Sequence, residues 1–393
     1  MNELHQMMFT LPPNLLRFAG SDAPTDVKLS AARGTLAIPP QDLSLVLFAL
    51  TRDEKEDIRN QAKKSLIGLP QTILKALLAD TNTHPLILDF FSRHLPGDSE
   101  PQETIALNRA THDETIVFQA SLPNKRVLEI ISNNQIRILR CPEIVDELSE
   151  NPLTGQAVIQ RILQFVEMEH QRSAPQKPEA EAESMDVEIE YLPEPEQEAP
   201  AVTTGDEEVG AVTMGEGDEF VSAWSKMTFG KDLLHDKEFE TEEQEKLSAA
   251  NLYQAVQKMK VSEKIKLAMM GNKEARGLLI RDSNRLVASA ALRSPRITES
   301  EIDTFSKSRS VSDDIIRQIA ASKDWTKNYQ IKLNLVNNSK TPVGESMRFL
   351  NFLRDKDLRS VARSRNVPNP VATAARKLIQ KREEKGKAKK PSH

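Results

Sequence analysis

The sequence predicts an all-α protein of two helical modules joined by an acidic linker. Three observations lead there. Apolar residues recur at helical spacing through both ends of the chain, the stretch between them is crowded with carboxylates and prolines, and charge is segregated by region. Of the 393 residues, 38% are hydrophobic and 5% aromatic, which is lean for a fully packed protein and implies that a sizeable part stays outside any core.

Residues 1–170 read as the amino-terminal module. Leu43, Val46, Leu47 and Leu50 form one apolar stripe, and Ile58, Ala62 and Leu66 a second. Ile73, Leu74, Leu77 and Leu78 continue the series, followed by Leu86, Leu88, Phe90 and Phe91. The segment from Glu114 to Ala120 has the apolar content of a strand, but it has no second strand to pair with and is read as helix. Ile130, Ile131, Ile136, Ile138, Leu139, Ile144, Val145 and Leu148 imply two more helices, divided near Cys141 and Pro142.

Residues 171–245 form the linker. Glu179, Glu181, Glu183, Asp186, Glu188 and Glu190 lead a run of carboxylates interleaved with Pro175, Pro178, Pro193, Pro195 and Pro200. Like charges repel and prolines break helices, so 171–219 is expected to be disordered, with weak helix returning near Trp224. Within it, Met185-Asp-Val-Glu-Ile-Glu-Tyr191 alternates apolar and acidic residues, as a plain linker or as a short docking motif. Residues 246–380 read as a second helical module, and 381–393 as a solvated basic tail.

The charge arithmetic sharpens this division. Residues 1–170 carry 16 Lys/Arg against 22 Asp/Glu, residues 171–245 carry 5 against 22, and residues 246–393 carry 32 against 14. A net charge of −5 therefore conceals a region of +18 attached to one of −17. A field of that size favours anionic partners, and the linker is one candidate within the same chain.

Helix entries repeat. Ile58, Ala62 and Leu66 share their spacing with Val371, Ala375 and Ile379, and Val287 with Ala291 follows the same entry up to Pro295. A small Ala at the central position lets neighbouring helices approach closely. Asp282 and Asn284 read as turn or cap residues. Turns repeat as well: Leu148-Ser-Glu-Asn-Pro-Leu-Thr154, Leu292-Arg-Ser-Pro-Arg-Ile-Thr298 and Leu335-Val-Asn-Asn-Ser-Lys-Thr341 each end a helix and supply a Thr expected to cap the next. Leu292 and Leu335 lie 43 residues apart, within the range of two-helix repeats. On these features the chain resembles HEAT-like (HEAT/armadillo-type) α-solenoid proteins. The stretch from Asn272 to Val287 resembles a module of bacterial helical-repeat proteins. The resemblance covers about 250–380 well and 12–169 loosely. It implies a scaffold or binding role and carries over no catalytic residue.

Catalytic and metal chemistry are not spelled out. The seven His residues have no metal-ligand spacing, Gly215-Glu-Gly217 lacks the context of a nucleotide loop, and the lone Cys141 excludes an intramolecular disulfide. The pair Asp313-Asp314 suits a helix start. No secretion signal or membrane-length apolar run is read, so a cytoplasmic protein without membrane insertion, cofactor or enzymatic activity is expected.

The basic residues carry the functional reading. Arg276, Arg281, Arg285, Arg293 and Arg296 are expected near one end of the first carboxy-terminal repeat, with Lys323 and Lys327 continuing the surface. That face would bind an acidic protein partner, in competition with the linker. Sequence-independent nucleic-acid binding is the alternative. Some HEAT-like proteins are DNA-repair glycosylases, of whose sites Asp324-Trp325 is a faint echo. A module docking a kinase or response regulator is a third reading.

Overall fold

The computed structural model describes residues 3–173, 222–236 and 242–388. Among these residues the regular structure is helical, and no strand occurs. Most of the segment expected to be disordered, 174–219, lies outside the described residues.

Helices α1 (Glu3–Gln6), α2 (Leu16–Ala19), α3 (Thr25–Ala32) and α4 (Pro40–Leu50) lead into α5 (Glu56–Ile67), α6 (Gln71–Ala79), α7 (Pro85–His94) and α8 (Ser99–Leu107). Then follow α9 (Asp113–Ser121), α10 (Lys125–Asn133), α11 (Gln135–Arg140), α12 (Glu143–Glu150) and α13 (Gln156–Ser173). The segment from Glu114 to Ala120 is thus helix, in α9, and α11 and α12 part at Cys141-Pro142 as expected. Two short helices, α14 (Ala223–Lys226) and α15 (Lys231–Leu234), precede α16 (Glu242–Gln257) and α17 (Val261–Met270). The chain continues through α18 (Lys273–Leu279), α19 (Arg285–Leu292), α20 (Glu299–Lys307), α21 (Asp313–Ala321), α22 (Tyr329–Asn337), α23 (Val343–Leu350), α24 (Asp355–Arg363) and α25 (Asn369–Ala388).

Local chemistry sets these boundaries. Pro40 and Pro85 occupy first-turn positions, where the missing N–H costs nothing. Asn124, Asn272, Asn284, Ser312 and Asn328 cap the helices they precede. Thr298 and Glu301 complete the capping box at α20. Thr154 does not act as expected: its hydroxyl donates back to Leu148 O at 2.6 Å, on the helix it follows.

At three turns an Asn makes the long-range links. The Asn108 amide donates to Leu78 O and Asp80 O, at 2.7 and 3.0 Å. Asn151 does the same with Ala120 O and Leu122 O, and Asn338 with Ser306 O and Ser308 O. Each amide satisfies carbonyls left open at the end of an earlier helix, and so ties like ends of neighbouring helices together.

The apolar core falls into two clusters, and the break is not at the acidic segment. One runs from Leu4 to Ile105, the other from Ala106 to Ala375. A buried polar layer lies where they meet. Gln102 of α8 donates to Ser92 O and accepts from the Ser92 hydroxyl and the Gln119 amide, while Asp89 of α7 accepts from Thr115 and Arg93. The second cluster passes without interruption from α12 and α13 to α17 and α19, so the two halves expected from the sequence share one core. Ala62, Ala291 and Ala375 are all fully buried.

Candidate partner-binding surface and seam

The candidate cations do not gather at one end of a repeat. Arg281 reaches Ser310, Lys264 pairs with Asp282, and Lys340 reaches Val311 O, so the turns near 280–284, 308–312 and 338–342 share one edge. Ser294 bonds Met269 O, Asn328 bonds Glu299, and Arg354 lies over the Tyr329 ring, which places the turns near 270–272, 293–298, 322–328 and 351–354 on the other edge. Arg281 and Arg285 therefore sit on the first edge, and Arg293, Arg296, Lys323 and Lys327 on the second. The eight residues of α19 separate the groups by about 12 Å.

Arg276 does not face solvent. It is 4% exposed, donates to Glu301 through Nε and Nη2, each at 3.0 Å, and donates to Gly271 O through Nη1 at 2.7 Å. Gly271 is required by close approach, because a Cβ there would lie 2.5 Å from Leu267 O.

Much of the positive charge serves the fold. Arg296 donates to Leu234 O and Met270 O, Arg382 to Leu353 O and Asn351 O, and Arg376 to Ala362 O. Cations at helix carboxy termini satisfy open carbonyls and oppose the negative end of the dipole. Others are ion-paired: Arg285 with Asp314 at 2.9 Å, and Lys327 with Asp324 at 2.7 Å. The side chains of Arg293, Arg309, Lys323, Lys356, Arg363 and Arg365 have neither kind of partner among the described residues. Arg293, Lys323 and Lys356 follow one another on the second edge. Stacking surface is sparse, since Phe349 is buried and Phe352, 59% exposed, lies beneath Lys332.

The seam between α11–α13 and α17–α19 holds a second set of polar contacts. Asp146 accepts from the Ser262 N–H at 2.7 Å, Glu143 pairs with Lys260, and Arg285 donates to Gln156. Residues 222–236 strap this seam. Trp224 is 2% exposed, and its Nε1 donates to Ile138 O at 3.0 Å. Lys266 donates to Trp224 O and Met227 O, and burial lowers its pKa. Asn272 binds Asp232 O and His235 O, in the manner of the other turn asparagines. A cavity of about 440 Å³ lies beside the strap, lined by Trp224, Phe229, Met269, Met270, His170 and Lys266. Sequence reasoning noted only a weak helix here, because contacts to backbone carbonyls leave no period to read.

Among the described residues no cluster of His, Cys, Asp and Glu could hold a metal ion, and no helix is long and apolar enough to cross a membrane. No protein family, curated protein or solved structure matches the chain.

Proposed function

We propose that this chain is a non-catalytic interaction scaffold, a HEAT-like helical array whose basic carboxy-terminal half binds an acidic protein segment. The observation that carries the reading is the row of cations without a partner among the described residues on successive turns of one edge, Arg293, Lys323 and Lys356, beside Lys327. Helices of one layer pack about 8–10 Å apart. An extended chain advances about 10 Å in three residues, so an acidic segment can offer a carboxylate to each turn. The recurring Asn links between helix ends about 30 residues apart support the repeat reading, and a stacked array offers one long continuous surface.

Retention of labelled polyglutamate across a salt series tests this. Exposed pairs contribute about 0.2–1 kcal/mol each, so reversing Arg293, Lys323 and Lys356 to Glu should weaken binding about 3- to 150-fold at low salt. Reversal of Arg33, in the amino-terminal half, should leave it unchanged. Equal retention by the triple variant would reject the edge. Binding of a single-stranded oligonucleotide in preference to polyglutamate would move the reading to nucleic acid.

A further inference from the structure

A second groove lies at the opposite end of the chain, between residues 7–9, α4 and α7. It encloses about 710 Å³. Its floor is aromatic: Phe9 meets Phe48 edge-on at 4.8 Å, Phe48 meets Phe90 at 6.0 Å, and His94 stacks on Phe90 at 4.1 Å. Its rim is cationic. Arg52 lies over the Phe48 ring at 4.5 Å and Lys63 stands beside it, neither with a carboxylate partner among the described residues, while Arg93 is bound to Asp89. Met8 lines the opening and is 83% exposed. A groove with an exposed Met8, a buried to half-buried aromatic floor and cations that lack a carboxylate partner among the described residues suits a ligand that is apolar on one side and anionic on the other.

We infer that this groove receives Met185–Tyr191 of the same chain. Drawn out as a strand, that sequence places Met185, Val187, Ile189 and Tyr191 on one face and Asp186, Glu188 and Glu190 on the other. The apolar face matches the aromatic floor, and the carboxylates match Arg52 and Lys63. Length permits the contact. Twelve residue steps separate Ser173 from Met185 and span up to about 40 Å. α13 reaches α7 through α10 and α9, so three packed-helix spacings, about 24–30 Å of lateral offset, separate the two helices. This inference is independent of the cationic edge in the other half, and the two are tested by different substitutions.

The test uses the full-length chain. Zero-length carbodiimide cross-linking followed by peptide mass spectrometry should join Lys63 to Asp186, Glu188 or Glu190. A labelled synthetic peptide of residues 183–193 should bind the variant with Asp186, Glu188 and Glu190 all changed to Ser at least about 10-fold more tightly than the unaltered chain, because the tethered competitor is removed. Adding Arg52→Gln and Lys63→Gln to that variant should reverse the gain, with the helical melting transition as the control for folding. Equal binding by the unaltered and acid-substituted chains, with no Lys63 cross-link to the segment, overturns the inference. Cross-links formed only between differently isotope-labelled copies would assign the groove to a second molecule and overturn the intramolecular contact.

Discussion

Arg276 and Glu301 face each other in a bidentate pair, Nε to Oε1 and Nη2 to Oε2, and only 4% and 2% of the two residues is exposed. Glu301 also accepts from the Thr298 N–H and hydroxyl, so one carboxylate joins α18 to the start of α20. Removing one member of such a pair leaves the other charged and without a counterion in the interior. Arg276→Met should cost about 3–5 kcal/mol in chemical denaturation, and adding Glu301→Gln should recover a good part of that loss.

The same pair predicts an acid response. Burial pushes the Glu301 carboxyl up, but Arg276 and Thr298 together hold it below the ordinary range. A depressed carboxyl stabilises the fold above its unfolded-state pKa, and that contribution is lost as pH falls through the folded-state value. The melting temperature should therefore fall on acidification below about pH 4, and Glu301→Gln should lack that component of the fall. Superimposable acid profiles would contradict the assignment.

Asn151→Ala leaves the buried ends of Ala120 and Leu122 without their donor. An unsatisfied buried polar group costs about 1–3 kcal/mol, so Asn151→Ala and Asn338→Ala should each lower stability by about that amount or more. Asn366 is exposed, and Asn366→Ala should be nearly silent. Equal melts for all three would remove the Asn links as a structural device.

Trp224→Ala should cost about 3–5 kcal/mol, because a large side chain leaves a closed site and Ile138 O loses its donor. The optical readout separates the two tryptophans: Trp224 is buried and Trp325 is partly exposed. Acrylamide should quench the Trp224→Ala protein more completely than the parent. Unchanged quenching would mean that the strap does not hold Trp224 in the seam.

Ala291 and Ala375 stand at close helix contacts, so Leu at either should overpack the interface by about 1–3 kcal/mol. Ala250 is exposed, and Ala250→Leu should change stability by less than about 0.5 kcal/mol.

Much of the helical plan was legible. The apolar stripes marked α4 and α5, the capping box marked α20, and the lone prolines marked breaks, because each is a local rule written within a few residues. Ala291 and Ala375, picked out by the spacing of the helix entries, are both buried. The fate of the cations was not legible. Arg276 and Lys323 look alike in sequence, yet one is bound inside and the other faces water, because the difference lies with Glu301, 25 residues away. The turn signature was read in part: Thr298 caps the next helix as expected, but Thr154 bonds back to the helix it follows, and Asn151 and Asn338 act backward on a helix about 30 residues earlier. The seam, too, depends on contacts far apart in sequence, such as Asp146 to Ser262.

The uninterrupted core between α12 and α17 has a mechanical consequence. The 48 residues from 174 to 221 connect two parts that packing already holds together, so tension applied at the chain ends passes through the seam before it reaches that stretch. Rupture of the seam would hand the load to the covalent chain between the two parts. A single-molecule extension trace should record that step as a sudden lengthening, and Trp224→Ala should lower the force at which it appears.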